Sequence, residues 1–150
     1  MEAFEKYYNN SLRFLSFRPR SEKEIRDNLK KKKALPLVIE KIINKLKDKN
    51  FLNDEEFTKW WVEQRTKFQP KSLRVIKIEL KQKGISQDLI GSIIQNDLER
   101  AKELVRKKLP RYQNLDKNKL YQKLGGFLAR RGFDYETIKE SIDGLLKKGV

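Results

Sequence analysis

Residues 76–85 read IKIELKQKGI, and a related stretch occurs twice more, as IRDNLKKKKA at residues 25–34 and as LGGFLARRGF at residues 124–133. In each copy an apolar residue is followed by leucine four positions later, and Gly84 and Gly132 come four positions after that leucine. Apolar residues spaced by four predict a helix, and glycine just past the last of them is typical of a helix end. The stretch therefore predicts a basic helix with a defined C-terminus in three places.

The repetition continues beyond these stretches. Leu29, Leu80 and Leu128 are 51 and 48 residues apart, and isoleucines follow each of them at matching positions, as Ile39, Ile90 and Ile138 and again as Ile43, Ile94 and Ile142. Periods of this size indicate helical units that cover each other's apolar faces. We predict an all-α protein of three tandem three-helix repeats, over residues 1–50, 51–97 and 98–150, forming an elongated, curved array of right- or left-handed sense.

Polar residues mark the predicted helix starts. Ser21 and Glu24 have the spacing of a capping box, and further caps are expected at Asn53, Asp54, Ser86 and Asp134. Pro70 is expected to break a helix or to begin another. Between the last helix of repeat two and the first helix of repeat three there is no glycine or proline, so the two are predicted to join.

Two positions break the pattern. Lys33 occupies the place of the turn glycine, and a lysine in left-handed geometry costs on the order of 1 kcal/mol; a different turn is therefore expected in repeat one. Gly125 and Gly126 lie inside a predicted helix, where each costs roughly 1 kcal/mol relative to alanine. Close packing against a neighbouring helix or a hinge would each explain this pair.

Charge gives the first indication of function. The 150 residues include 36 basic and 21 acidic side chains, a net charge of +15, which predicts a polyanionic or acidic partner. The second helix of each repeat ends in a basic cluster, at Lys30–Lys33, at Lys81 with Lys83, and at Arg130 with Arg131. If the repeats stack regularly, these clusters line one side of the array and form a binding surface.

Composition also excludes several classes. Cysteine and histidine are absent, which rules out disulfides and Cys-ligated zinc and is consistent with a reducing cytoplasm. No run of about 18 apolar residues is present, so no membrane span is expected. The first residues, MEAFEK, are acidic and lack an apolar segment, so they are not interpreted as a signal peptide. We expect a cytoplasmic protein that needs no cofactor or metal.

Three classes of function remain open from composition and charge: a DNA-binding protein, an enzyme and a membrane-surface protein. Net charge alone would suit a non-specific binder of single- or double-stranded DNA, whose affinity falls as salt rises. An enzyme lacks support because histidine, cysteine and a glycine-rich phosphate loop are missing, although residues 54–56, DEE, could hold magnesium. Basic amphipathic helices could lie on a membrane, but their apolar faces are needed for the core.

The stretch FLNDEEF at residues 51–57, followed by Trp61-Val62 and Arg65, resembles the RecX family, regulators of the RecA recombinase. The resemblance covers nearly the whole chain. Further matching segments are Leu12–Leu15 with Ser16, Arg18 and Ser21; Ile76, Glu79-Leu80 and Lys83-Gly84-Ile85; and Leu128 with Arg130–Phe133. Lys33 and the pair Trp60-Trp61 depart from the family pattern, which puts the local shape at these positions in question.

The resemblance implies three tandem three-helix repeats and a monomeric protein of DNA repair, homologous recombination and the SOS response. It also implies binding in the groove of the RecA–DNA filament and inhibition of recombinase activity, with weak direct binding to single- and double-stranded DNA. A thin basic array could touch several protomers through contacts that are individually weak, because linkage raises their effective concentration.

Guanidinium groups are favoured for such contacts because they bind carboxylates and phosphates in a bidentate manner. The residues predicted to contact the filament or DNA are Arg18, Arg20, Arg65, Arg74, Lys81, Lys83, Arg130 and Arg131. From its spacing after Phe57, Trp61 is expected in the core. Trp60 is expected to be half exposed, packing between repeats, serving as a partner hot spot or stacking on a base.

Overall fold

A computed structural model describes residues 2–68, 71–93 and 96–148. These residues form nine α-helices, together with a short 3₁₀ helix at Leu109–Tyr112. The α-helices are α1 (Glu2–Phe17), α2 (Glu22–Lys31), α3 (Pro36–Asp48), α4 (Asp54–Lys67), α5 (Leu73–Gln82), α6 (Gln87–Gly91), α7 (Asp97–Lys108), α8 (Lys117–Arg130) and α9 (Tyr135–Lys148). The part of the chain described here contains no strand, and the all-α prediction is confirmed.

The helices belong to two compact units. The first unit consists of Met1–Glu63 and Glu79–Ser92, and the second of Gln64–Ile78 and Ile93–Val150. The divisions at residues 63 and 78 fall inside α4 and α5. Residues 51–97, predicted as one repeat, therefore contribute to both units. The predicted repeat boundaries themselves stay a prediction.

The core of the first unit lies between α1, α2 and α3, which pack against each other. Ile25 and Leu29 on α2 meet Ile39 and Ile43 on α3, all of them buried as their spacing predicts. The remaining buried members are Ala34, Ile42, Leu46 and Leu52. Aromatic and aliphatic side chains of α1 pack against this cluster while keeping part of their surface exposed.

The core of the second unit is built in the same way from α7, α8 and α9. Leu124 and Leu128 on α8 and Ile138 and Ile142 on α9 are buried, which confirms the predicted inward positions. Further buried members are Ala101, Leu104, Val105, Leu120, Phe127 and Phe133. Equivalent leucines and isoleucines thus carry the core in both units.

The turns after α2, α5 and α8 have the same construction. In each, the amide of the residue that directly follows the left-handed position donates to the carbonyl of the aligned leucine, as Ala34 to Leu29 (3.0 Å), Ile85 to Leu80 (3.1 Å) and Phe133 to Leu128 (3.2 Å).

 The left-handed residue is Lys33 (φ 67°) after α2, Gly84 (φ 78°) after α5 and Gly132 (φ 93°) after α8. The expectation of a different turn at Lys33 is therefore wrong, because the lysine adopts the geometry of the two glycines.

Surroundings explain why lysine is tolerated at only one of these turns. A Cβ atom added to Gly84 would lie 2.6 Å from Cβ of Lys23, and one added to Gly132 would lie 2.3 Å from Cγ2 of Val75. Lys33 is exposed. Its cost is therefore limited to the backbone, on the order of 1 kcal/mol, whereas the two glycines also leave room for a neighbouring helix.

The caps are partly as predicted. Ser21 and Glu24 form the capping box of α2, and Asn53 accepts hydrogen bonds from the amides of Glu55 (2.9 Å) and Glu56 (3.3 Å). Ser86 and Asp134 cap α6 and α9 through the amides at Leu89 and Thr137. All of these interactions satisfy amides that a helix start leaves unpaired.

Asp54 was predicted to cap the helix that it begins, and this prediction is wrong, because it caps an earlier helix. Its carboxylate accepts a hydrogen bond from the amide of Glu22 (2.8 Å), at the start of α2. In the second unit Asp97, the first residue of α7, accepts in the same way from the amide of Leu73, at the start of α5. An Asn-Asp pair thus caps two helices at once, the asparagine its own and the aspartate an earlier one.

The predicted joining of two helices is also wrong. α6 ends at Gly91, where the amide of Ser92 donates back to Asp88 (3.1 Å). α7 begins afresh at Asp97, capped by the side chain of Asn96. α6 therefore ends with a glycine that the pattern had placed inside a longer helix, and a polar cap starts α7. The predictions for Pro70 and Ile94 concern positions outside the described residues.

The close-packing explanation for Gly125 and Gly126 is not supported. A Cβ atom on Gly125 would lie 3.8 Å from Cγ2 of Ile138, an ordinary contact, and one on Gly126 would lie 3.4 Å from the mobile end of the Arg130 side chain. Both positions therefore have room for a methyl group.

We expect Gly125→Ala to raise the free energy of unfolding by about 0.5–1 kcal/mol, because alanine restricts the unfolded chain and favours the helix. Chemical denaturation measures the change. Ala129→Gly, at an exposed position of the same helix, is the matched control and should lower stability by about 1 kcal/mol. A loss of stability in Gly125→Ala would contradict the expectation.

Candidate partner-binding surfaces

Three of the predicted contact residues meet around one carboxylate in the first unit. Oε2 of Glu24 lies 2.5 Å from a guanidinium nitrogen of Arg18, 3.4 Å from Nζ of Lys83 and 4.0 Å from a guanidinium nitrogen of Arg20. Glu24 also completes the capping box of α2 by accepting from the Ser21 amide (3.1 Å). The helix cap therefore also serves as the anchor of this cation cluster.

Two tryptophans complete the cluster. The guanidinium carbon of Arg18 lies 5.7 Å from the ring centre of Trp60 and 5.8 Å from that of Trp61, and Nζ of Lys83 lies 5.4 Å from the Trp61 ring. Such distances are those of cation–π interactions. Trp61 is 9% exposed and donates through Nε1 to Glu79 (3.3 Å), which confirms its predicted core position. Trp60 is half-buried, also as predicted.

The electrostatics of the cluster follow from burial. Burial opposes ionisation of Glu24, but hydrogen bonds from Arg18 and the Ser21 amide hold its pKa below the ordinary value. Burial lowers the pKa of Arg20, and the neighbouring charge of Arg18 lowers it further against the attraction of Glu24. Arg20 also donates to the carbonyl of Phe14 (3.2 Å), and its side chain is 13% exposed.

These contacts limit what the cluster can offer to a partner. Arg18 donates to the carbonyl of Pro19 (2.7 Å) as well as to Glu24. The three cations hold the segment between α1 and α2 against α4 and the end of α5, so they stabilise the first unit. Arg18, Arg20 and Lys83 as partner contacts stay a prediction, with Arg20 presenting the least free surface.

The second unit brings together a different set of predicted residues. Arg74 is exposed and donates to the carbonyl of Gly132 (3.0 Å). Hydrogen bonds from Thr137 lower the pKa of Asp134, and the nearby charge of Arg74 lowers it further.

The basic pair at the end of α8 has different surroundings. Arg131 lies over the ring of Phe127 (5.0 Å), which Lys108 also approaches (4.9 Å). Arg130 is exposed, and no carboxylate of the described chain pairs with it.

The remaining basic residues differ in accessibility. Lys30–Lys33 and Lys81 are exposed at the ends of α2 and α5, where cations interact favourably with the helix dipole. Arg65 is half-buried on α4. Among the eight predicted contact residues, Arg74, Lys81 and Arg130 are therefore the exposed ones.

An aromatic groove in the first unit was not predicted. It has a volume of about 820 Å³ and runs between the end of α1, the segment after α3 and one side of α4. Phe17 and Phe51 line it with 77% and 53% of their surface exposed, beside the half-buried Trp60. A signal was available, because Phe17 and Phe51 fall just beyond the ends of the apolar stripes that fill the core.

Metal-holding groups and membrane-spanning helices are both absent from the described residues. In residues 2–68, 71–93 and 96–148, no group of three or more acidic side chains is placed to hold a metal ion. None of the helices described there is both long enough and apolar enough to cross a bilayer.

Comparison with protein-family models gives three matches in chain order. Residues 8–46 match the model described as RecX, first three-helix domain; residues 53–92 match the second such domain; and residues 95–142 match the third. Together these matches span α1 to α9, which confirms three three-helix domains as the organisation of the fold.

Relatives and solved structures agree with the family models. The chain is 37% identical over 143 residues to the regulatory protein RecX of Listeria welshimeri, covering 92% of this chain and 53% of that protein. For the regulatory protein RecX of Bacillus subtilis the values are 35% over 147 residues, 95% and 56%. The chain thus spans about half the length of these curated relatives. The crystal structure of RecX from Lactobacillus salivarius superposes with a TM-score of 0.76 at 28% identity, over 96% of this chain and 97% of that one.

Proposed function

Because the chain belongs to the RecX family, we propose that it is a non-enzymatic regulator that binds in the groove of the RecA–single-stranded DNA filament and inhibits recombinase activity. In this role it limits ATP hydrolysis, strand exchange and filament extension, and it acts as a monomer in the cytoplasm. The observation that carries the proposal is the ordered match of three RecX domains over the chain.

Exposed charge supports binding to such a filament. Arg74, Lys81 and Arg130 are exposed at helix ends or on helix surfaces, and the run Lys30–Lys33 adds four exposed cations. A nucleoprotein filament offers carboxylates and phosphates, which are the groups that lysine and arginine bind. Contacts made by linked domains reinforce each other, so each can be weak.

The decisive experiment titrates the protein into RecA bound to single-stranded DNA at physiological salt and measures ATP hydrolysis. Binding to bare DNA is measured in parallel under the same conditions. Inhibition at concentrations too low to coat bare DNA is the expected result and identifies the filament as the target. Inhibition that only follows the coating of bare DNA would overturn the proposal.

The second candidate is a non-specific DNA-binding protein, which the net charge of +15 favours. Binding that depends on phosphate contacts alone should weaken steeply with added salt, because each contact releases counterions. The titration repeated at several salt concentrations separates the two functions. Inhibition that persists at salt concentrations that abolish bare-DNA binding would exclude this second candidate.

We expect the double substitution Arg130→Glu and Arg131→Glu to weaken inhibition of RecA ATP hydrolysis, by about tenfold in the protein concentration required. The introduced glutamates would be repelled by an anionic partner surface that the two arginines attract. The melting temperature checks that the fold survives, because Arg131 also lies against Phe127.

A matched control changes the net charge equally at other exposed positions. Lys59→Glu with Lys139→Glu alters two exposed lysines on α4 and α9, and it should inhibit nearly as well as the wild type. Equal loss in both double variants would mean that total charge matters, not the end of α8.

A further inference from the structure

The aromatic groove has the composition of a protein interface. Three large aromatic side chains, Phe17, Phe51 and Trp60, share it with the guanidinium groups of Arg18 and Arg20. Tryptophan and arginine are enriched among the residues that dominate binding energy, and apolar surface grouped in one depression marks an interaction site more often than single exposed residues do.

The groove floor is packed against the core. Phe57, fully buried, lies below Trp60 with ring centres 6.1 Å apart, and Arg18 lies over the Trp60 ring. Side chains fixed before binding lose little conformational entropy when a partner arrives. Trp60 therefore presents a positioned aromatic surface to whatever enters.

Charge in and beside the groove defines the partner further. Among the residues that line the groove, Arg18 and Arg20 carry two positive charges and Glu56, on the α4 side, carries one negative charge. The lining therefore has a net charge of +1, so a single further carboxylate would complement the groove.

This charge suits a protein segment better than a nucleic acid strand. A strand presents a phosphate at every nucleotide and is bound by a row of cations along its backbone. Here the lining residues include two cations, Arg18 and Arg20, which lie two positions apart and form no row of cations. One unit of excess charge and an apolar wall fit one carboxylate beside one large apolar side chain.

We propose that the aromatic groove between the end of α1, the segment after α3 and α4 docks an acidic segment of the protein partner, with a large apolar side chain seated between Phe17, Phe51 and Trp60 and a neighbouring carboxylate close to Arg18. The inference rests on the proposed function and deepens it, because it separates a protein contact in this groove from phosphate contacts made by the exposed lysines.

The test is the double variant Phe17→Ala and Phe51→Ala, assayed for inhibition of RecA ATP hydrolysis at physiological salt. The concentration for half-inhibition should rise about tenfold or more, as expected for loss of aromatic contacts in an interface. Binding to labelled bare single-stranded DNA should be unchanged. Both residues are exposed, so the melting temperature should stay near that of the wild type.

Phe68→Ala is the matched control, because Phe68 is exposed to a similar degree as Phe17 and does not line the groove. It should inhibit like the wild type. A wild-type chain that does not inhibit RecA would defeat the proposed function itself. If the wild type inhibits and the folded double variant inhibits equally well, the groove inference alone is wrong.

Loss of binding to bare DNA in the double variant would also overturn the groove inference, since the rings would then be stacking on bases. A second variant, Trp60→Ala, removes the floor ring, and it should weaken inhibition while preserving DNA binding. Its folding is checked separately, because Trp60 is half-buried and contacts Phe57.

Discussion

Replacing Leu80 with alanine is expected to lower the free energy of unfolding by about 2–5 kcal/mol. Leu80 is fully buried on α5, so its truncation removes apolar contacts and leaves a cavity. Its carbonyl also accepts the amides of Lys83 and Ile85 (both 3.1 Å) at the end of the helix. These backbone bonds persist in the variant, so the expected loss comes from packing.

Denaturant unfolding followed by circular dichroism measures this change. Ile78→Ala is the matched control, since Ile78 lies two residues earlier on the same helix and is about half exposed. It should cost well below 1 kcal/mol, as do most surface substitutions. An unchanged transition in Leu80→Ala would contradict the alignment of Leu29, Leu80 and Leu128 as equivalent core positions.

Gly132→Ala is expected to cost about 2–5 kcal/mol for two separate reasons. The residue has a φ angle of 93°, where an alanine is strained by about 1–2 kcal/mol. Its new Cβ would also lie 2.3 Å from Cγ2 of Val75 and 3.0 Å from Oγ of Ser72, and overpacking of this kind typically costs a further 1–3 kcal/mol.

Two further variants separate these contributions. Lys33→Gly changes the equivalent turn in the opposite direction, where no neighbouring helix intrudes, and should stabilise the protein by about 1 kcal/mol. Val75→Ala should recover part of the loss in Gly132→Ala by removing the clashing methyl groups. Equal stability of Gly132→Ala and the wild type would show that this turn does not approach the start of α5.

Much of the fold could be predicted because its information is local. The four-residue spacing of Ile25 with Leu29 and of Leu124 with Leu128 fixes which side of each helix is buried. The capping box at Ser21 needs only four consecutive residues. Repetition of the pattern then gave the number of helices and their grouping in threes.

Contacts between distant residues account for the errors. Asp54 has the sequence position of a cap for α4, and only the folded chain brings it to the amide of Glu22, 32 residues earlier. Lys33 looked unsuited to a left-handed turn because its freedom from neighbours is not visible in the sequence. In both cases the tertiary surroundings of the residue override the preference that its local sequence indicates.

The same distinction holds for the candidate binding residues. Charge patterning identified the exposed cations Arg74, Lys81 and Arg130, because helix ends rich in basic residues are usually solvated. It could not reveal that Arg18 and Lys83, distant in sequence, share Glu24. Phe17 and Phe51 were missed since a groove forms only when the ends of two helices meet the side of a third.

The double caps made by Asn53-Asp54 and Asn96-Asp97 constrain how such a chain can evolve. Each aspartate caps a helix that begins more than 20 residues earlier, so a copied segment that ends at the last helix of a domain leaves one of its own caps behind. It must include the opening residues of the following helix, or the earlier helix loses its partner. The stretch of sequence that keeps all its caps is therefore shifted relative to the three-helix domain. This favours gain or loss of domains as whole repeats of that shifted stretch.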